Sequence, residues 1–216
     1  MVECHHPEMS PIDLAALDRD GWFAVRGLLD PAASAALARR CALMLRDEED
    51  LRQGDKRGNG TRRAAALLDR LPEIADLFSH PTLVAGVAHL LGAAVPITDV
   101  AFRCPQPGFG RQSLHADDVA NTAADESHAV TCILALCDFT EQNGATAVVP
   151  GTHRRPDLQR RPDRLRERDE VRLLGTAGTG FMFSAHLLHR GTENRSTAPR
   201  PALQAQWRQV GGPRAG

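Results

Sequence analysis

"AVTCILALCDFTEQNGATAVVPG", residues 129–151, decides the fold class. Its first half, 129–140, is an apolar and partly β-branched run of the kind that fills a buried strand. Glu141 and Gln142 lead into Asn143-Gly144, a hairpin-type turn signal, and "ATAVVPG" reads as the return strand. Downstream, "VRLLGTAGTGFMF" (171–183) reads as two short strands about a Gly-containing turn, and "RPALQAQWRQV" (200–210) as one more. Between them "HRRPDLQRRPDRLRERDE" (153–170) is so charged that it predicts a solvated excursion. Several short strands with such turns predict a β-sandwich or barrel.

Before about residue 96 the texture is mainly helical. "PAASAALARRCALML" (31–45) is Ala- and Leu-rich and starts with Pro after Asp30, the pattern of a capped helix start. "TLVAGVAHLLG" (82–92) carries apolar residues at helical spacing and a Gly stop. "GWFAVRGLL" (21–29) reads as a short strand and "RQGDKRGNGTRR" (52–63) as a polar loop. With no internal repeat and no linker, residues 1–216 are expected to form one domain, 1–95 mainly helical and 96–216 the β core.

Composition narrows the function. The 26 basic and 27 acidic residues leave a formal charge of −1, which argues for no nucleic-acid and no membrane partner. Lys56 is the only Lys and there is no Tyr, a bias of composition rather than of function. The five cysteines, Cys4, Cys41, Cys104, Cys132 and Cys137, are odd in number and form no C-x-x-C pair, so reduced thiols are expected. "MVECHHPEMS" lacks the basic and apolar regions of a signal peptide, and no apolar run has the length of a spanning helix. The expectation is a cytoplasmic protein, monomer or homodimer, with a small-molecule substrate.

The chemistry-bearing stretch is "SLHADD", residues 113–118. On a strand, residues i and i+2 share a face, so His115 and Asp117 can grip one ion at a strand end. Two His and one carboxylate with open positions is the ligand set of non-haem Fe(II) oxygenases. A third ligand has to come from the other histidines. His5 and His6 lie near the N-terminus beside Cys4, His80 precedes a Pro, and His89 follows a helical pattern. His128 and His153 flank the apolar run, while His186 and His189 follow the strand "GFMFS". Periodicity alone does not choose between the last two.

Four ordered blocks resemble one family. "DGWFAVRGLLDPAASAAL", "LLGAAVPITDVAFRCPQPGFGRQSLHADD", "LALCDFTEQNGATAVVPGTHR" and "HRGTENRSTAPRPALQAQW" are similar to successive segments of phytanoyl-CoA-dioxygenase-type (PhyH-like) Fe(II)/2-oxoglutarate oxygenases. The resemblance implies a mainly β fold with flanking α: a double-stranded β-helix (jelly-roll, cupin-like) core with the N-terminal helices packed on one sheet. It implies His115, Asp117 and His189 as iron ligands, His189 because Asn194 and Arg200 follow it at the family's spacing. Arg200 would then pair with the distal carboxylate of 2-oxoglutarate, a match for the guanidinium fork. Gln112 and Thr146 stand where some members contact the co-substrate, though both are equally readable as structural hydrogen-bonding residues. The implied cofactors are Fe(II), 2-oxoglutarate and O2. The implied reaction is hydroxylation, or another oxidation, of an unactivated C–H, as a tailoring step in natural-product biosynthesis. Asp117 argues against halogenation, which needs a small residue in its place.

Departures from the family pattern are Arg190-Gly191 where Gly-Ser is common after the distal His, and Ile133 where many members carry Trp. The connections 118–128 and 154–170 are short, so the site is expected to be open or completed by a second subunit or a bulky substrate. Arg62, Arg63 and Arg103 are further candidates to face the pocket. The alternatives are an acyl-CoA hydroxylase of the same family, a cupin-like metalloprotein that does not use 2-oxoglutarate, and a silent binding module.

Overall fold

The computed structural model of the protein describes residues 14–45, 60–120 and 128–209. Its strands, in chain order, are β1 (Trp22–Val25), β2 (Thr61–Ala64), β3 (Ile97–Pro105), β4 (Ala129–Ala135), β5 (Ala147–Val148), β6 (Val171–Arg172), β7 (Gly180–Ser184), β8 (His189–Arg190) and β9 (Ala202–Arg208). All pair antiparallel, in a larger sheet ordered β1-β7-β4-β9-β3-β2 and a smaller one ordered β6-β5-β8. The principal helices are α1 (Leu14–Asp20), α2 (Pro31–Met44) and α3 (Pro81–Leu91).

The helix ends follow from the sequence. Asp30 caps α2 by accepting the Ala33 N–H at 2.8 Å, with Pro31 in the first turn. His80 caps α3, its Nδ1 accepting from the Thr82 N–H at 3.2 Å, and Gly92 stops it with φ +68°.

Alternation sorts each strand of the larger sheet between two cores. Outward residues such as Val100, Phe102, Val130, Leu134, Leu203 and Trp207 are buried against Leu17, Leu83, Val87 and Leu91 of the helices. Inward residues Ala135, Phe181, Phe183 and Ala202 pack with Val148, Leu173 and Leu187. Each large apolar side chain removed from water contributes about 1.5–3 kcal/mol. The result is the double-stranded β-helix, with helices on the outer face of the larger sheet.

The smaller sheet covers only part of the inner face. Along β2, β3 and β9 the inward residues Arg63, Ala101, Arg103, Gln204 and Gln206 are half-buried and Asp99 is exposed. Their outward neighbours Val100, Phe102, Leu203 and Ala205 are fully buried. Along this edge the inside of the roll is wetter than the outside.

Three sequence expectations need correction. The run 129–151 is not a hairpin, because β4 and β5 belong to different sheets. Asn143 instead folds the turn locally, Oδ1 accepting from Thr140 N–H and Nδ2 donating to the Asp138 carbonyl. Gly144, at φ +80°, is pressed against Asn194 N and Thr192 O, so the segment crosses from one sheet to the other. The strands within 171–183 are likewise split, β6 in the smaller sheet and β7 in the larger. Residues 61–63, read as the end of a polar loop, belong to β2, since β3 supplies an edge for them to pair with. The excursion from 153 consists of short helical turns and is pinned by the buried Gln159. The Gln159 side chain accepts from Ala120 N–H and donates to Thr152 O, both at 2.8 Å. Cys4, His5, His6 and Lys56 lie outside the described residues. Among those described, no helix is long and apolar enough to cross a membrane.

Candidate active site

His115 and His189 are brought together by their own backbones. Each N–H donates to the other's carbonyl, at 3.0 and 2.8 Å, adding His115 to the edge of β8. Two residues on, Asp117 reaches toward the larger sheet, where its Oδ2 accepts from Thr131 Oγ1 at 3.1 Å. The cluster therefore spans both sheets. Asp117 Oδ1 lies 3.7 Å from His189 Nε2 and 4.0 Å from His115 Nε2. One donor atom from each of the three falls within 4.8 Å of the others.

The ring orientations suit ligation. His115 Nδ1 lies 2.8 Å from the Ser113 carbonyl, and His189 Nδ1 lies 3.0 Å from the Leu187 carbonyl. A carbonyl only accepts, so in the neutral rings both Nδ1 atoms carry the hydrogen and each Nε2 keeps a lone pair directed at Asp117. Burial pulls the His189 pKa below its ordinary value, with Asp117 opposing, and the neutral form is the one a metal needs. The Phe183 ring, 4.8 Å from that of His189, supplies an apolar wall.

The three residues line a cavity of about 260 Å³. Arg200 lines it too, although only 5 % exposed, and its Nε and Nη1 are buried without a hydrogen-bond partner among the described residues. Its guanidinium lies 4.5 Å over the Phe139 ring. Burial draws its pKa down to about 10, so it is still a cation at neutral pH. The ionisable groups that act on it are thiols: burial raises Cys104 and pushes Cys137 up to about 11, so neither is an anion. Among the described residues this buried cation has no carboxylate counter-ion, and a buried cation needs an anionic partner.

The other sequence candidates divide. Thr146 is buried in the cavity wall. Gln112 also lines it, and in addition bonds structurally to Gly191, whose N–H donates to Gln112 Oε1 at 2.9 Å. His186 turns away from the cluster, its Nε2 3.7 Å from Asp118 Oδ2. His80 is a helix cap and His89 pairs with Asp18 at 2.9 Å. His153 has buried ring nitrogens, and burial, with help from Arg154, holds its pKa below the ordinary value. Of the three arginines, Arg63 and Arg103 line the cavity, while Arg62, one residue out of phase, is exposed.

One residue of the site's surroundings escaped the sequence reading. Thr131 was one apolar-run residue among many, and only tertiary contact reveals its bond to Asp117. Arg190 replaces a small residue of the family pattern, yet it points away from the cavity. Its Nε donates to Glu170 at 2.9 Å and its Nη2 to Glu167 at 3.1 Å, tying the charged excursion to β8. Ile133 occupies the cavity wall where a Trp is common.

The sequence model of the phytanoyl-CoA dioxygenase (PhyH) family matches residues 17–202. A curated relative, dioxygenase trt7 of Aspergillus terreus, is 28 % identical over 224 aligned residues, which cover 92 % of this chain and 73 % of that one. An ectoine dioxygenase of Nocardia farcinica is 25 % identical, covering 89 % and 76 % of the two chains. Among solved structures, the non-haem α-ketoglutarate-dependent carbocyclase SnoK from nogalamycin biosynthesis superposes with a TM-score of 0.74 at 17 % identity, over 94 % of this chain and 85 % of that one.

Proposed function

Since the chain belongs to the phytanoyl-CoA dioxygenase family, we propose that it is a non-haem Fe(II)/2-oxoglutarate-dependent oxygenase of a small molecule. The observation that carries this reading is Arg200, a buried guanidinium with unpartnered donors among the described residues, which lines the cavity that also holds the two-His, one-carboxylate cluster. A metal site alone fits a cupin-like protein equally well. A metal site beside an orphaned buried cation fits a metal together with a dianionic co-substrate.

The donor set suits the metal: two neutral Nε2 atoms and one carboxylate leave room for further ligands on a first-row divalent ion. Bound iron supplies the oxidising chemistry with O2, and the chain supplies the rest. His115, Asp117 and His189 hold the ion, and Thr131 fixes the rotation of the Asp117 carboxylate. Arg200 takes the distal carboxylate of 2-oxoglutarate as a two-pronged donor. Gln112 and Thr146 line the same pocket. Phe183, beside His189, and Ile133 give the pocket wall apolar surface.

The substrate reading is a tailoring reaction on a specialised metabolite. An acyl-CoA is disfavoured because several arginines of the excursion are engaged locally. Arg155 pairs with Asp157 at 3.0 Å, Arg161 with Asp163 at 3.2 Å, and Arg160 donates to the Ala120 carbonyl.

The test is an anaerobic titration of Fe(II)-loaded protein with 2-oxoglutarate, following the charge-transfer band at about 500 nm. The band is expected in wild type, lost in His189→Ala, and moved to much higher co-substrate concentration in Arg200→Ala. Folded, iron-loaded wild type without a band refutes the 2-oxoglutarate reading and leaves the cupin-like one.

A further inference from the structure

Arg63 and Arg103 face each other across the β2–β3 pair. Residues directly opposed in an antiparallel pair have Cβ atoms roughly 4.5–5.5 Å apart, so two guanidiniums on one face can converge on a single ligand. Like charges in that relation repel, and both side chains line the cavity that holds the metal cluster. Both also interact with protein groups. What sets them apart is their direction and the charge of the space they enter.

Three guanidiniums, Arg63, Arg103 and Arg200, line the cavity against the single carboxylate of Asp117, an excess of two positive charges. In the loaded state iron(II) adds two and 2-oxoglutarate removes two, which leaves the excess unchanged. Asp99, on the same face of β3, interacts with Arg103; it is exposed and outside the lining. Arg200, enclosed at 5 % exposure, has the deep position. Arg63 and Arg103 are half-buried at the wetter edge of the inner face. Arg103 is still near enough to the metal cluster to act electrostatically on His189.

We propose that Arg63 and Arg103 form a second oxyanion subsite, which binds a carboxylate or phosphate group of the primary substrate and orients that substrate toward the metal. The proposal rests on the dioxygenase reading above for the identity of the first anion, but not for its own test.

The experiment uses matched probes: benzoate and phenylphosphonate against the neutral benzyl alcohol. Binding is measured by saturation-transfer NMR and calorimetry on the metal-free protein, and again on the anaerobic Fe(II)·2-oxoglutarate form. Wild type is expected to prefer at least one anionic probe over the alcohol by about tenfold or more, the scale of a charge-assisted double contact. The preferred probe identifies carboxylate or phosphate as the group recognised. Arg103→Gln and Arg63→Gln should each erase most of that preference while leaving the 2-oxoglutarate titration within about threefold of wild type. Arg63 lies on an edge strand, so its variant is informative even if Arg103→Gln is poorly folded. Equal binding of anions and alcohol to wild type overturns the proposal. So does a loss of 2-oxoglutarate affinity in these variants comparable to that in Arg200→Ala, which would assign the pair to the co-substrate. An absent charge-transfer band with the anion preference intact would instead sink the iron reading and leave this subsite standing.

Discussion

Replacing Thr131 by Val tests what orients the Asp117 carboxylate for a metal. Thr131 is 1 % exposed in the middle of β4, opposite Phe183 on one side and Gln206 on the other. Valine keeps its volume, its β-branching and both backbone ladders, so the only loss is the 3.1 Å bond from Oγ1 to Asp117 Oδ2. A hydrogen bond to an ionised group contributes about 1.5–3 kcal/mol. The Asp117 side chain is 19 % exposed, so water can replace part of that bond and the lower half of the range applies. At about 1.4 kcal/mol per decade, and in line with other partners of metal-bound carboxylates, Fe(II) affinity should fall about 10- to 100-fold. Anaerobic competition with a chromophoric chelator measures it, beside urea unfolding of the metal-free protein. Metal-free stability should also fall, by about 1–2 kcal/mol, because the same bond is present in the metal-free fold. Thr131→Ser should restore most of the affinity. If the Val variant binds Fe(II) as tightly as wild type, or if it loses stability without losing affinity, the orienting role of Thr131 is wrong.

Other consequences can be checked on the same material. Gly144→Ala forces a side chain at φ +80° into the Asn194 and Thr192 backbone, with 2.9 Å to each, and should cost about 2 kcal/mol or more in urea unfolding. Arg190→Met strands Glu170, whose side chain is 10 % exposed, and should cost about 2–4 kcal/mol and speed tryptic cleavage in the excursion; the Arg190→Met/Glu170→Met double variant should recover much of the stability. His153 has a pKa depressed by burial, so as pH falls below its ordinary value of 6.5 the unfolded chain takes up a proton that the native chain refuses. Stability of the metal-free protein should therefore drop as pH falls through and below that value, and His153→Leu should flatten the slope in thermal melts followed by circular dichroism.

The parts of this molecule legible in the sequence are those fixed by local chemistry. Asp30-Pro31 and Gly92 announce helix ends because the cap atoms lie within a few residues of the turns they satisfy. The outward and inward sets of β4, β7 and β9 follow from a period of two. His115 and Asp117 were read as one face of a strand; His115 forms an isolated bridge and Asp117 lies in a bend, and the fold brings both beside His189, which the family spacing singled out. What was not legible depends on partners far along the chain. β5, β6 and β8 are two residues each, too short for any periodicity, so their sheet membership is decided by packing alone. β2 lies in a polar stretch and becomes a strand because β3 offers it hydrogen bonds. His186 and His189 look alike in sequence. A tight turn, Leu187 N–H to Ser184 O at 2.9 Å, sends His186 toward Asp118 instead.

The wet inner edge of the roll divides the chain by how freely it can change. Groups that hold the cluster together, Thr131, His189, Arg200 and the apolar walls around them, are almost wholly enclosed, and substitutions there disturb packing as well as chemistry. Arg63, Ala101, Arg103 and Gln204 are half-buried on strands whose other sides carry the core, so changes at these positions disturb packing less than changes to the enclosed groups. Such an edge lets selection or an engineer trade one substrate for another in single steps, with the oxidising machinery inherited intact. A protein-engineering campaign on this scaffold should begin with those four positions, and should find more variants that fold with altered preference than variants that fail to fold.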